Sequence, residues 1–374
     1  MKVLFTYTLA ERLGGSEDVL WSILRNLDRS RVAPVVVFFA PGPFEREVAA
    51  LGIPTHVVPL GRFRQVGLGA RAILRLARIL RDERPELVVN FILKAQLYGA
   101  PAAVLAGFGR RILWWQHDIP GRQPFDRLAA TLPARAILTS SGMAADAQRR
   151  RRPRRRSVAV LPGIPEPRPV PAEEIEALRE RLGIERGDPV VGIVGRLQEW
   201  KGQHRFLEAL ARLREAGREV RGLVVGGTQH LLDPEYELHL RHLVAELGLE
   251  GRVTFAGQVA DVVPYLQLMD VMVSASDPEP FGLVLLEAMA LEVPIVAVDA
   301  GGPREILDGG RYGVLVPTGA PEHLAAGVDR VLADPGLGRS LAGRARRRYA
   351  ERFTAERMTR ELESRLEELA PARR

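Results

Sequence analysis

The chain has 374 residues, 46% hydrophobic and 26% charged, with a formal net charge of +7 and no cysteine. That length exceeds one ordinary core and predicts two lobes, and the composition excludes disordered and fibrous classes. The lack of cysteine excludes a disulfide framework, a thiolate nucleophile and Cys-ligated metal centres.

The amino terminus, Met1-Lys2-Val3-Leu4-Phe5, runs straight into a strand-like stretch without the succession of a signal peptide. The longest apolar run, Val32 to Ala40, is far short of the roughly 20 residues that span a bilayer. The expectation is a cytoplasmic protein. Short β-rich runs alternate with helical patterns, the signature of parallel βαβ units. In the first half the predicted strands are Lys2 to Thr8, Val35 to Phe39, His56 to Leu60, Leu87 to Ile92, Arg111 to Trp115 and Ala136 to Thr139. A helical period runs from Ala70 to Arg81. After the first strand, Leu13-Gly14-Gly15-Ser16 opens a helix, where glycines either expose amides to an anion or simply make a tight turn. After the fifth strand comes Trp114-Trp115-Gln116-His117-Asp118. His117 is the leading candidate of this half, with a hydrogen-bonded structural histidine as the other reading.

Only Lys2, Lys94 and Lys201 are lysines, so the positive charge is almost all arginine. Its densest run, Arg149 to Arg156, is either a solvated connector or a contact for phosphates of a membrane surface or an anionic acceptor, and the basic Arg62-Phe63-Arg64 loop points the same way. With no aromatic-interleaved basic face, nucleic acid is not an expected partner. Pro162, Pro165, Pro167, Pro169 and Pro171 then rule out helix and central strand and predict a semi-rigid hinge. Domain boundaries are set at 1–165 and 166–353, with a last helix from Thr354 to Leu369 expected to return to the first domain.

Second-half strands are predicted at Val190 to Val194, Gly222 to Val225, Arg252 to Phe255, Val271 to Ala275, Ile295 to Val298 and Gly313 to Val316, with a helix at His204 to Glu215. Two doubly wound parallel sheets of the Rossmann-like α/β kind imply a central cleft at their carboxyl edges. The strongest local signal follows Val271 to Ala275: Asp277-Pro278-Glu279-Pro280-Phe281-Gly282-Leu283-Val284-Leu285-Leu286-Glu287-Ala288-Met289-Ala290. It sets one glutamate in a loop and another eight positions on inside a helix. The helix start offers unpaired N–H groups to phosphate, and the carboxylates accept from hydroxyls.

This string resembles the E-x7-E motif of retaining glycosyltransferases of family 4, which have the GT-B fold. The similarity continues through Val194-Gly195-Arg196-Leu197 with Lys201-Gly202, Val224-Val225-Gly226-Gly227, Val253-Thr254-Phe255-Ala256-Gly257, Gly301-Gly302-Pro303-Arg304-Glu305-Ile306 and Gly313-Val314-Leu315-Val316-Pro317. The resemblance implies that Arg196 and Lys201 grip a diphosphate, that Glu279 contacts the transferred sugar and that Glu287 binds the ribose diol. Gly14, Gly15, Gly257, Phe281, Gly282 and Leu283 complete the implied donor site, and His117 lies near the reacting sugar. Two departures stand out. Leu161-Pro162-Gly163-Ile164 replaces the family's Ile-Pro-Asn-Gly-like turn, and Glu292 stands where glycine is common.

The implied function is transfer of a hexose from a UDP- or GDP-sugar to an acceptor hydroxyl, with retention and without a metal or other cofactor. The acceptor is a sugar, a lipid-linked sugar or a small molecule, reached in the cytoplasm or at the inner membrane face. A sugar-nucleotide epimerase of the same fold and a non-catalytic nucleotide-sugar-binding protein are the competing readings.

Overall fold

Strands such as Leu87-Val88-Val89 and Ile295-Val296-Ala297-Val298 are unbroken apolar runs, as expected where helices cover both faces of a parallel sheet. In the computed structural model, which describes residues 1–8, 11, 14–60, 66–121, 125–151, 155–228, 234–317 and 319–371, these runs form two wholly parallel sheets. The chain divides into Met1–Pro165 with Ala355–Arg374, and Glu166–Thr354.

In chain order the first unit contains β1 (Lys2–Tyr7), α1 (Gly15–Asn26), β2 (Ala33–Phe38), α2 (Pro43–Ala50), β3 (Thr55–Val57), α3 (Val66–Glu83) and β4 (Leu87–Phe91). It continues with α4 (Ile92–Leu105), β5 (Ile112–Gln116), α5 (Asp126–Thr131), β6 (Ala136–Thr139), α6 (Gly142–Arg151) and β7 (Arg156–Ala159). The strand order is β3-β2-β1-β4-β5-β6-β7, so the winding direction reverses between β1 and β4. Leu4, Val35, Val37 and Val88 pack against Leu76, Leu80 and Ala95 in a core closed to solvent. Each such large side chain contributes about 1.5–3 kcal/mol on burial.

The second unit runs α7 (Ala172–Arg181), β8 (Val190–Val194), α8 (Gln203–Glu215), β9 (Arg221–Val225), α9 (Pro234–Glu246), β10 (Val253–Gly257), α10 (Val263–Leu268) and β11 (Val271–Ser274). It ends with α11 (Leu283–Ala290), β12 (Ile295–Val298), α12 (Gly302–Ile306), β13 (Val314–Val316), α13 (Pro321–Ala333) and α14 (Pro335–Arg352). Its order, β10-β9-β8-β11-β12-β13, repeats the first pattern and places the switch point between β8 and β11. The core joins Val191, Ile193, Val224 and Val273 to Phe206, Leu210, Leu324 and Val328.

The last helix, α15 (Ala355–Leu369), packs on α1 with Leu362 and Leu366 buried. Buried Glu363 accepts the Asp28 N–H at 2.7 Å and pairs with Arg31 at 3.2 Å. Gly163 N–H reaches Met358 Sδ at 3.2 Å, and Ala355 N–H donates to the Ile164 carbonyl at 2.9 Å, so the altered hinge turn anchors this helix.

Two sequence expectations need correction. The sequence reading lacks β7: Arg149, Arg150 and Arg151 end α6, and Arg156 begins this seventh strand. The third strand is also shorter, Thr55–Val57 rather than His56 to Leu60, because it lies at the sheet edge with one neighbour.

Candidate functional site

Ligands of open parallel sheets bind beyond the carboxyl ends of the strands at the switch point. In the second unit that place is formed by the loops after β8 and β11. The first passes through Arg196 into a short turn, Glu199–Lys201, and the second carries Asp277 to Gly282. They are tied together by the Asp277 N–H, which donates to the Trp200 carbonyl at 3.3 Å.

At their junction Lys201 Nζ donates to Glu279 Oε2 at 2.6 Å, with side-chain exposures of 18% and 8%. The ammonium also lies 4.3 Å from the centre of the Trp200 ring, a cation–π contact. Removing either partner strands a largely buried charge, a loss of about 3–5 kcal/mol in such pairs.

The backbone around Glu279 is fixed by the loop after β12. Glu279 N–H donates to Ala300 O at 3.2 Å, and Gly302 N–H donates to Glu279 O at 2.8 Å. Gly301 has φ 90°, and a Cβ there would stand 2.0 Å from the Glu279 carbonyl oxygen, so only glycine permits this approach. Gly282, with φ 102°, turns the chain into α11, whose leading N–H groups at Leu283 and Val284 have no carbonyl a turn earlier to bond. Glu287 is half-buried in the second turn, and Phe281 is buried edge-on against Phe353 at 6.3 Å.

Arg196 is exposed, and its carbonyl accepts Gln203 Nε2 at 2.8 Å. Gly257 closes β10, and its carbonyl accepts the Gly226 N–H at 2.9 Å. Arg205, absent from the sequence reading, lies 3.8 Å from Asp277, with its Nε buried and without a hydrogen-bond partner among the described residues. It occupies an amphipathic helix where nothing in the local pattern separates it from surface arginines. Among the described residues no three His, Asp or Glu side chains cluster as metal ligands would.

In the first unit Gly14 caps α1 with extended backbone, and Gly15 begins the helix. Leu13 lies outside the described residues, as do Arg62, Phe63, Arg64, Arg152, Pro153 and Arg154. Close to Gly14 is an acid that sequence reading missed. Glu17 is 2% exposed and accepts from Ser16 Oγ at 2.9 Å, and Ser16 Oγ lies 2.8 Å from Tyr7 OH. Burial raises the pKa of Glu17, and the same desolvation raises that of Tyr7. The amino end of α1 therefore already has a carboxyl group beside it.

His117 follows β5, stacked on Phe91 at 4.6 Å and on Trp115 at 5.3 Å, with Nδ1 3.0 Å from Ser140 Oγ. The residue keeps some exposure, but Nε2 is shut from solvent and has no hydrogen-bond partner among the described residues. Desolvation pushes the pKa down to about 3, so the ring is neutral at ordinary pH. Next to Phe91, Ile92 holds φ 66°, a left-handed conformation that is strained for a β-branched residue. Trp114 and Trp115 are fully buried and belong to the core.

The described ends of the arginine run are held by several contacts. Arg149 pairs with Asp146 and donates to Ser157 O at 3.0 Å, Arg155 donates to Ala134 O at 2.6 Å, and Arg156 pairs with Glu368. Among the described residues no helix is long and apolar enough to cross a membrane.

Comparison with known proteins fits this architecture. Residues 174–348 match the family model Glycosyl transferases group 1, and residues 13–166 match Glycosyltransferase Family 4. The lipopolysaccharide core biosynthesis glycosyltransferase LpsE of Rhizobium meliloti is 34% identical over 181 residues, 48% of this chain and 50% of that protein. The alpha-D-kanosaminyltransferase of Streptomyces kanamyceticus is 33% identical over 170 residues, 45% and 42% of the two chains. The chain thus spans about half the length of these curated relatives. The crystal structure of Anabaena HepE in complex with UDP and glucose superposes with a TM-score of 0.85 at 27% identity, covering 98% of this chain and 100% of that one. The fold is GT-B, and the chain belongs to the group 1, family 4 glycosyltransferases.

Proposed function

We propose that the chain transfers a hexose from a nucleotide-diphosphate sugar, UDP-linked in the first instance, to an acceptor hydroxyl with retention of configuration and without a metal. The observation that carries this reading is the Lys201–Glu279 contact at the switch point of the second sheet. It sets a cation and an anion side by side where a diphosphate and its sugar need opposite partners. The UDP and glucose bound in HepE support the choice of donor.

In this reading Lys201 and Arg196 neutralise the departing diphosphate, together with the N–H groups of Gly282 and Leu283. Glu279 accepts from hydroxyls of the sugar, Glu287 binds the ribose diol, and Gly257 and Phe281 shape the donor site. The bond from the anomeric carbon to phosphate breaks with its electron pair leaving on the diphosphate, while the acceptor oxygen bonds to the same face of that carbon. The acceptor proton passes to a donor phosphate oxygen. His117, neutral and with Nε2 lacking a partner, serves the reacting sugar as a hydrogen-bonding group, and Gly14 and Gly15 line the approach of donor and acceptor.

The test is incubation with UDP- and GDP-hexoses, with and without sugar, lipid-linked and small-molecule acceptors, with anomer and linkage read by NMR. A product that needs acceptor, keeps the donor's anomeric configuration and persists in EDTA supports the proposal. Isomerised donor without acceptor, binding without turnover, an inverted product or loss of activity in EDTA contradicts it.

A further inference from the structure

Three neighbouring parallel strands of the first unit begin next to arginines: Arg110 two positions before β5, Arg135 one before β6 and Arg155 one before β7. Parallel pairing brings their amino ends to one edge, and the register aligns Ala136 with both Leu113 and Arg156. The Arg135 N–H donates to the Ile112 carbonyl at 2.7 Å, which seats it between its neighbours. Arg110, Arg135 and Arg155 line an open concavity of about 380 Å³ with Gly109, Pro133 and Ala134, and among the described residues no acidic one lines it.

Of the other arginines in this unit, Arg31 faces Glu363 and Arg156 faces Glu368, while Arg29, Arg81 and Arg111 donate to backbone carbonyls. Arg110 and Arg135 have no side-chain partner among the described residues, while Arg155 is fixed by the Ala134 carbonyl at 2.6 Å and the Thr131 carbonyl at 3.3 Å. Three like charges in one hollow repel, and a tetrahedral anion that accepts from several forks at once relieves the repulsion. The rim is partly apolar: a Cβ on Gly109 would lie 3.2 Å from Val104, and Val104 and Leu105 are each 49% exposed.

We propose that Arg110, Arg135 and Arg155 form a phosphate-binding pocket at the amino edge of the first sheet. It is separate from Gly14, Gly15 and His117, which follow the carboxyl ends of β1 and β5. The chemistry is that of a phosphate ester, carried either on a lipid headgroup or on a soluble molecule.

The experiment uses the full chain, with calorimetric titration of inorganic phosphate and sedimentation with phosphatidylcholine vesicles with or without phosphatidylglycerol. Arg110→Ala/Arg135→Ala is compared with Arg75→Ala/Arg78→Ala, which removes two charges from the exposed face of α3. Saturable binding by wild type, weakened about tenfold or more in the pocket variant and kept in the α3 variant, is expected for lost charge-assisted hydrogen bonds. Sedimentation that needs phosphatidylglycerol and is competed by phosphate identifies the lipid source, and phosphate binding without sedimentation identifies the soluble one. Absence of saturable binding to either probe, or an equal loss in the α3 variant, overturns the proposal. Arg110→Lys/Arg135→Lys keeps the charge and loses the forks. If it binds like wild type, that also overturns the proposal.

Discussion

The imidazole of His117 packs against both Phe91 and Trp115, and burial holds its pKa at about 3, below the usual value of 6.5. The unfolded chain takes up a proton that the native state refuses, so stability is lost as pH falls through about 6.5. Histidine NMR is expected to find no titration of His117 between pH 5 and 8, and His117→Asn should flatten the acid loss of stability. A signal with a midpoint near 6.5 contradicts this. Glu17 shifts the other way, since burial raises its carboxyl pKa. Below 4.5, the ordinary value, the group is protonated in both states. As pH rises above it, ionisation favours the unfolded chain. Glu17→Gln should therefore raise Tm at neutral pH, with the gain vanishing toward pH 4 in melting scans. A loss of Tm equal at every pH would show that the carboxyl is structurally required.

At the end of α11, Glu292 takes φ 56° while its N–H reaches Met289 O at 3.3 Å and the Val293 N–H reaches Ala288 O at 2.9 Å. This pair of bonds is the Schellman closure, whose left-handed position favours glycine. Glu292→Gly is expected to stabilise the chain by about 0.5–1 kcal/mol in urea unfolding, because relieved strain exceeds the added backbone entropy of the unfolded state. A loss of stability contradicts that assignment. Most strands were legible as apolar runs, and Ala136–Thr139, Val190–Val194 and Ile295–Val298 lie where their composition puts them. β7 was not legible, because Arg156-Ser157-Val158-Ala159 follows a string of arginines and owes its pairing to β6 rather than to its own propensity.

Both units share one winding order, and that order explains why the site could be read only in part. The resemblance to family motifs marked Arg196, Lys201, Glu279 and Glu287 one by one. The Lys201–Glu279 contact joins residues 78 positions apart, and it arises because β8 and β11 are neighbours. The arginine pocket was hidden for the same reason, since Arg110, Arg135 and Arg155 meet only through strand order.

The ion pair at the β8–β11 switch point is the proposed donor site. Lys201→Met/Glu279→Gln removes both charges and leaves neither buried alone. Calorimetric titration of UDP-glucose into wild type and this variant, with folding checked by melting, tests the claim most directly. Affinity at least about tenfold weaker in a folded variant is the expected result, from about 1.5–3 kcal/mol per lost charged contact. Wild-type affinity in the variant would contradict it.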